Sequence, residues 1–272
     1  MKQFLLLLLV LLISNGCSEG GAGLAGTGVG GSTARFAVVG DYLYVINKFD
    51  PKAGQPAEND STFRMASRWR DSLDTFSLAN PESPSFKSRL ILDLNQPETI
   101  HPVGNNIFLG TSSGMMILSL EVPEEPMFLS FAGHFRARDP VVVSNGKAYV
   151  TLRSSETDRF SSGINELQIF DVRNLQMPMA LSVFPMTSPW GLGVQENRAY
   201  ICDGSSGLRV LSVRDPQAVA EIGAVNTDIC FDVITTPTHV ITTGLAGINQ
   251  YKILADTDTP ELLSTITLEQ PQ

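Results

Sequence analysis

The feature that most constrains this chain is a repeat. Residues 197–213 read NRAYICDGSSGLRVLSV, and forty residues further on 237–253 read PTHVITTGLAGINQYKI. Aligned without a gap, Tyr200 meets Val240, Gly204 meets Gly244, Gly207 meets Gly247, Leu208 meets Ile248 and Val213 meets Ile253. Three earlier copies are weaker. Residues 106–120 read NIFLGTSSGMMILSL; residues 147–172 hold KAYVTL and ELQIFDV around an insertion; residues 41–78 hold DYLYVIN and LDTFSL around a longer one. Each copy keeps one internal order: a short apolar segment, a Gly or Asn turn, a second strand, a turn or insertion, an alternating third strand, a Pro-bearing turn, and a fourth strand. Such a four-stranded unit cannot bury both of its faces alone, and stacking units around an axis buries them against neighbours. The predicted fold is all-β, a β-propeller of about five four-stranded blades. A β-sandwich also has many short alternating strands, but the fixed four-strand period argues against it.

The segment RAYICDGSSGLRVLSVRDP resembles the LVIVD repeat of bacterial and archaeal cell-surface proteins. Ala199, Tyr200, Gly204, Gly207, Leu208, Val210, Val213, Asp215 and Pro216 carry the likeness, while Leu211-Ser212 stands where that repeat has Ile-Asp. The resemblance runs from about Phe36 to the end of the chain. It implies a propeller on an exported protein, and it brings no catalytic residues with it.

The N-terminus reads as a targeting signal. Lys2 precedes an unbroken apolar run over residues 4–13, followed by Ser14-Asn15-Gly16-Cys17. A charged start, a short apolar stretch and a small residue before a cut is the layout of a secretory signal, and the run is shorter than the roughly 20 residues a membrane span needs. Gly16-Cys17 resembles the bacterial lipobox, with Cys17 as the lipidated residue; ordinary secretion is the other reading. Residues 18–33 are mostly Gly, Ala, Ser and Thr, the composition of a flexible tether. The expected division is therefore 1–16 signal peptide, 17–33 lipidated Cys and tether, and 34–272 propeller. The expected location is the cell envelope, lipid-anchored (the outer membrane in a Gram-negative host), with the propeller facing periplasm or exterior.

Net charge is −9 and the calculated pI about 4.8. Nucleic-acid binding needs a basic footprint, so a nucleic-acid partner is not expected. Cys202 and Cys230 are the only cysteines after Cys17. Export permits a disulfide between them, but two buried free thiols are the favoured expectation.

Function is expected on the face that carries the insertions, since long loops on a rigid scaffold are where binding resides. The first insertion brings Arg64, Arg68, Trp69 and Arg70; the second brings Arg159 and Phe160; the connector between the second and third copies brings His134, Arg136 and Arg138. These are the candidate binding residues for an anionic or stacking ligand, a protein segment or a glycan. A short helix packing Trp69 against its own blade is the alternative for the first group. Catalytic signatures are missing. There is no nucleophile elbow, P-loop or HExxH motif, and the three histidines have no zinc-site spacing. The expectation is a non-catalytic binding or scaffolding module without metal or cofactor. The alternative is a propeller hydrolase or lyase acting on extracellular carbohydrate.

Overall fold

The computed structural model describes residues 31–48, 71–92, 96–133, 140–154 and 163–267. Blade one holds β1 (Phe36–Val39), β2 (Tyr42–Asn47), β3 (Ser72–Ser77) and β4 (Ser85–Ile91). Blade two holds β5 (Pro97–Val103), β6 (Asn106–Thr111), β7 (Gly114–Ser119) and β8 (Met127–Gly133). Blade three holds β9 (Val141–Ser144), β10 (Lys147–Arg153), β11 (Asn165–Asp171) and β12 (Met179–Pro185). Blade four holds β13 (Pro189–Gln195), β14 (Arg198–Asp203), β15 (Leu208–Ser212) and β16 (Ala220–Val225). Blade five holds β17 (Cys230–Thr235), β18 (His239–Gly244), β19 (Gly247–Lys252) and β20 (Glu261–Ile266). Each blade is one antiparallel sheet built from consecutive strands. The five-blade, all-β expectation holds.

The first strand of each blade lines a central channel of about 600 Å³. The inner strands start at what we call the upper face, where the second and third strands also connect. The turns between first and second strands, and between third and fourth, lie on the lower face. Tight hairpin turns force left-handed backbone at the first turn residue, supplied by Gly40 (φ 56°), Gly104 (φ 55°) and Asn145 (φ 50°), and in blade four by Glu196 (φ 54°).

The repeat is finer than the sequence alignment shows. Every third–fourth strand pair carries a register shift at the same place, from Thr75/Phe76 in blade one to Gln250/Tyr251 in blade five. Just before it, Ser88 donates to the Glu124 carbonyl and Ser130 to the Leu175 carbonyl (2.5 Å), each reaching the next blade. In blade four this position is Gly223, where a Cβ would lie 2.8 Å from Thr259 Oγ1 and 2.9 Å from the Asp258 carbonyl. The gapless alignment of units four and five needs one correction. Leu192 pairs with Ile201 and the equivalent Val233 pairs with Thr242, so Tyr200 corresponds to Ile241, not Val240. The cause is the 3-10 turn at Gly204–Ser206, one residue longer than the hairpin in which Gly244 pairs with Gly247.

The core divides between blades. One cluster joins blades one and two around Tyr44 and Leu109, and similar clusters join two to three, three to four and four to five. No such cluster among the described residues joins blade five to blade one. Ile100, Val141, Leu192 and Val233 share one inner-strand position and are at most 2% exposed, while Phe36 in that position of blade one is 64% exposed. The seam is bridged instead by residues 31–34. Ser32 and Thr33 donate to the Asp232 carboxylate of blade five at 2.9 and 2.6 Å, and the amide of Ile100 in blade two donates to the Ala34 carbonyl at 2.9 Å. Residues 31–33, read from sequence as tether, therefore cross the channel.

Cys202 and Cys230 form a disulfide between blades four and five, with Cα atoms 5.3 Å apart. The expectation of two free thiols is corrected. The two positions follow each other around the ring on adjacent blades, a proximity that the intervening strands conceal in the sequence.

Candidate functional site

Residues 31–34 divide the channel. Below them its wall is mostly apolar, with Val38, Val103, Val143, Val194 and Ile234, and with His101 as its titratable group. Burial lowers the His101 imidazole to about 4, outweighing a hydrogen bond with the Val143 backbone. Above them a smaller cavity of about 210 Å³ opens on the upper face, lined by Thr33, Arg35, Glu98, Arg153 and Trp190 among others.

The upper ends of three inner strands shape this cavity. Register shifts between Pro189 and Leu192, between Pro97 and Thr99, and between Cys230 and Asp232 interrupt pairing there. Bulges of this kind re-aim side chains at a strand end. Glu98 is turned toward two cations: Lys48 Nζ lies 2.8 Å and Arg35 3.7 Å from its carboxylate. Lys48 also reaches Asp71 at 3.9 Å. The Arg153 guanidinium stacks 3.5 Å over the Trp190 ring, whose other neighbour is Phe231, edge-on at 5.0 Å. Thr151 fixes the strand beneath by donating to the Trp190 carbonyl at 2.7 Å.

Asp232 sits at the inner edge of the same mouth. Both its oxygens are bound, by Ser32, by Thr33 and by the Val233 amide at 2.8 Å. Gly31 and Gly191 leave the room, since a Cβ on either would approach the carboxylate to 1.9 and 2.3 Å. Asp203, at the upper end of β14, is buried in a structural role. It accepts from the Ser188 amide at 2.6 Å and from Arg209 at 2.9 Å. Asp228 is exposed outside the cavity.

Chemically, the mouth offers a carboxylate flanked by cations and a guanidinium stacked on an aromatic ring. Among the described residues no group of three His, Cys, Asp or Glu side chains could hold a metal ion.

The predicted binding residues Arg64, Arg68, Trp69, Arg70, His134, Arg136, Arg138, Arg159 and Phe160 lie outside the described residues, as does Cys17. Described neighbours of those segments, Lys48, Pro140 and Arg153, stand at the upper mouth. Sequence reasoning missed Glu98, Arg35 and Trp190. Each opens the inner strand of a different blade, and only their shared place at the start of repeat units could have singled them out.

The sequence matches no protein-family model, and a search of curated proteins finds no match. Solved structures do match. The periplasmic gluconolactonase PpgL of Pseudomonas aeruginosa is 12% identical, with a TM-score of 0.60 over 84% of this chain and 68% of that one. A protein from Lactobacillus plantarum gives 11% identity and a TM-score of 0.61 over 84% and 68%. The computationally designed Ika8 protein gives 10% identity and a TM-score of 0.57 over 84% and 59%, so this chain spans less than two thirds of that one. At such identities the likeness establishes the fold alone, which is a β-propeller. It nonetheless overturns the expectation of a non-catalytic module. That expectation rested on missing motifs, and a protein named as a gluconolactonase carries the same architecture.

Proposed function

We propose that this propeller is a hydrolase acting on carbohydrate, and that it opens the ring ester of a sugar lactone at the upper mouth. The supporting observation is the convergence of Glu98, Arg35, Arg153 and Trp190 on one cavity, at the inner-strand ends of a fold shared with a named gluconolactonase. In lactone hydrolysis water adds to the carbonyl carbon and the ring C–O bond breaks. The proton leaves the water and reaches the departing alkoxide. Glu98 is placed to take and return that proton. Arg35 and Arg153 are placed to stabilise the developing oxyanion and the carboxylate product. Trp190 holds the Arg153 guanidinium in place by stacking beneath it.

The test is hydrolysis of glucono-lactone followed against the spontaneous rate. Wild-type protein accelerates it, and Glu98→Gln lowers kcat by about 100-fold, the lower range for losing a general base. No acceleration across a panel of sugar lactones overturns the reading.

We also propose that the chain is an exported LVIVD-type lipoprotein held to the envelope through Cys17. The Cys202–Cys230 disulfide supports export, since such bonds persist in oxidising compartments.

A further inference from the structure

We propose that the lower outer corner of blades one to three rests on a lipid bilayer, a docking that rests on the reading of Cys17 as a lipid anchor. Six large apolar side chains are exposed there: Phe86 (55%), Val122 (48%), Met127 (49%), Phe128 (57%), Met177 (63%) and Met179 (53%). They belong to the third-to-fourth strand turns and the outer strands β4, β8 and β12. Scattered apolar residues on a surface need no explanation, whereas an exposed cluster over adjacent elements marks an interaction site.

Blade four shows that the fold does not demand them, although blade five keeps an exposed Leu262 at the Phe86 and Phe128 position. Met127 and Met179 correspond to Ala220 in blade four, and Phe86 and Phe128 to Glu221. Val122 goes further against local preference. In the same turn of blades one, three and four stand Asn80, Asn174 and Asp215, each accepting from the amide two residues on at 3.2, 3.1 and 2.9 Å. Blade two keeps the turn, with the Glu125 amide 2.9 Å from the Val122 carbonyl, but a valine side chain forgoes the bond that the other turns make. A position that gives up a stabilising turn contact to show an isopropyl group to solvent has a reason outside the fold.

A bilayer is the occupant that the rest of the chain supplies. Cys17 stands fourteen residues before Gly31. Fully extended, that stretch holds the domain within about 50 Å of the lipid on Cys17. Methionine and phenylalanine are suited to an irregular apolar boundary. Charges beside the corner are paired, Lys87 with Glu124 at 2.9 Å and Arg173 with Asp171, and Glu82 and Glu121 lie on neighbouring turns. Docking is therefore apolar, insensitive to salt, and no stronger on anionic than on zwitterionic lipid.

The experiment uses the full chain, purified from membranes and reconstituted into phosphatidylcholine vesicles with brominated acyl chains. With Cys202 and Cys230 bonded, an environment-sensitive fluorophore is placed through Phe128→Cys or Met177→Cys, and through Ala218→Cys or Glu221→Cys on blade four as controls. The expected result is a blue shift and loss of emission at 128 and 177 but not at 218 and 221, abolished at 177 by Phe128→Ser. Water-like emission at all four positions overturns the proposal. So does shielding of 128 and 177 without vesicles in a particle of twice the mass, which would make the corner an interface between copies. Protein that does not float with the vesicles refutes the anchor reading. The same probes titrated with vesicles then decide the corner alone, a blue shift at 177 supporting it and none overturning it.

Discussion

His101 shows how one residue ties the channel to solution conditions. It stands on β5 in a wall rich in valine and isoleucine, and among the described residues no carboxylate lines the channel beside it. Burial favours the neutral ring, so its proton leaves at about pH 4 in the fold against an ordinary 6.5 unfolded. Above 6.5 neither state holds the proton and stability is unaffected. Between 6.5 and 4 the unfolded chain binds a proton that the folded chain refuses, so stability falls as pH falls. From pH 7 to pH 5 the loss is on the order of 1–2 kcal/mol. Urea unfolding at the two values checks it: the midpoint drops in wild type and moves less in His101→Asn. Asp171 cannot mimic the effect. The Arg173 guanidinium beside it lowers its carboxyl to about 2, so its contribution persists to well below pH 5. Nothing in the sequence set His101 apart from the other two histidines; its desolvation comes from the ring of inner strands around it.

Among elements, the inner strands were the most legible, because their alternation of apolar residues repeats from blade to blade. What they could not show was whether the ring seals. Phe36, Leu43 and Val45 carry the same apolar pattern as Leu192, Ala199 and Ile201, yet only the second set meets a preceding blade. One substitution made at two equivalent places separates pattern from packing. Leu192→Ala empties a fully buried site and is expected to destabilise by about 2–5 kcal/mol. Phe36→Ala removes a larger side chain that is mostly exposed, and is expected to stay within about 1 kcal/mol. Equal losses in thermal or urea unfolding would mean that blade five closes on blade one in solution. The outer strands were harder to read. Their solvent-facing residues answer to partners outside the fold, and only comparison between blades identifies Val122 and Met127 as departures.

At the scale of the whole molecule, the repeat fixes the architecture and hides the site. Glu98, Arg35 and Trp190 meet because five first strands converge at one end, a relation set by ring closure and not by spacing along the chain. The same ring geometry concentrates weakness at its ends. Blades two to four are each packed on both sides, while among the described residues blade five has a hydrophobic cluster only with blade four. In a repeat array stability is the sum of such neighbour interfaces, so the end unit opens first. Links that oppose this include the hydroxyls of Ser32 and Thr33 on Asp232, the Arg198–Asp258 ion pair, and the Cys202–Cys230 bond across the blade four–five interface. The disulfide closes a loop with a sequence separation of 28. By loop entropy, reducing it lowers stability by about 3–4 kcal/mol. Hydrogen exchange before and after reduction locates the loss. Amides of β18 and β19 are expected to lose protection while β6 and β10 keep theirs, because only blade five depends on that bond to remain docked. Uniform loss across all blades would show instead that the five blades unfold as one unit, with the ring sealed across its seam.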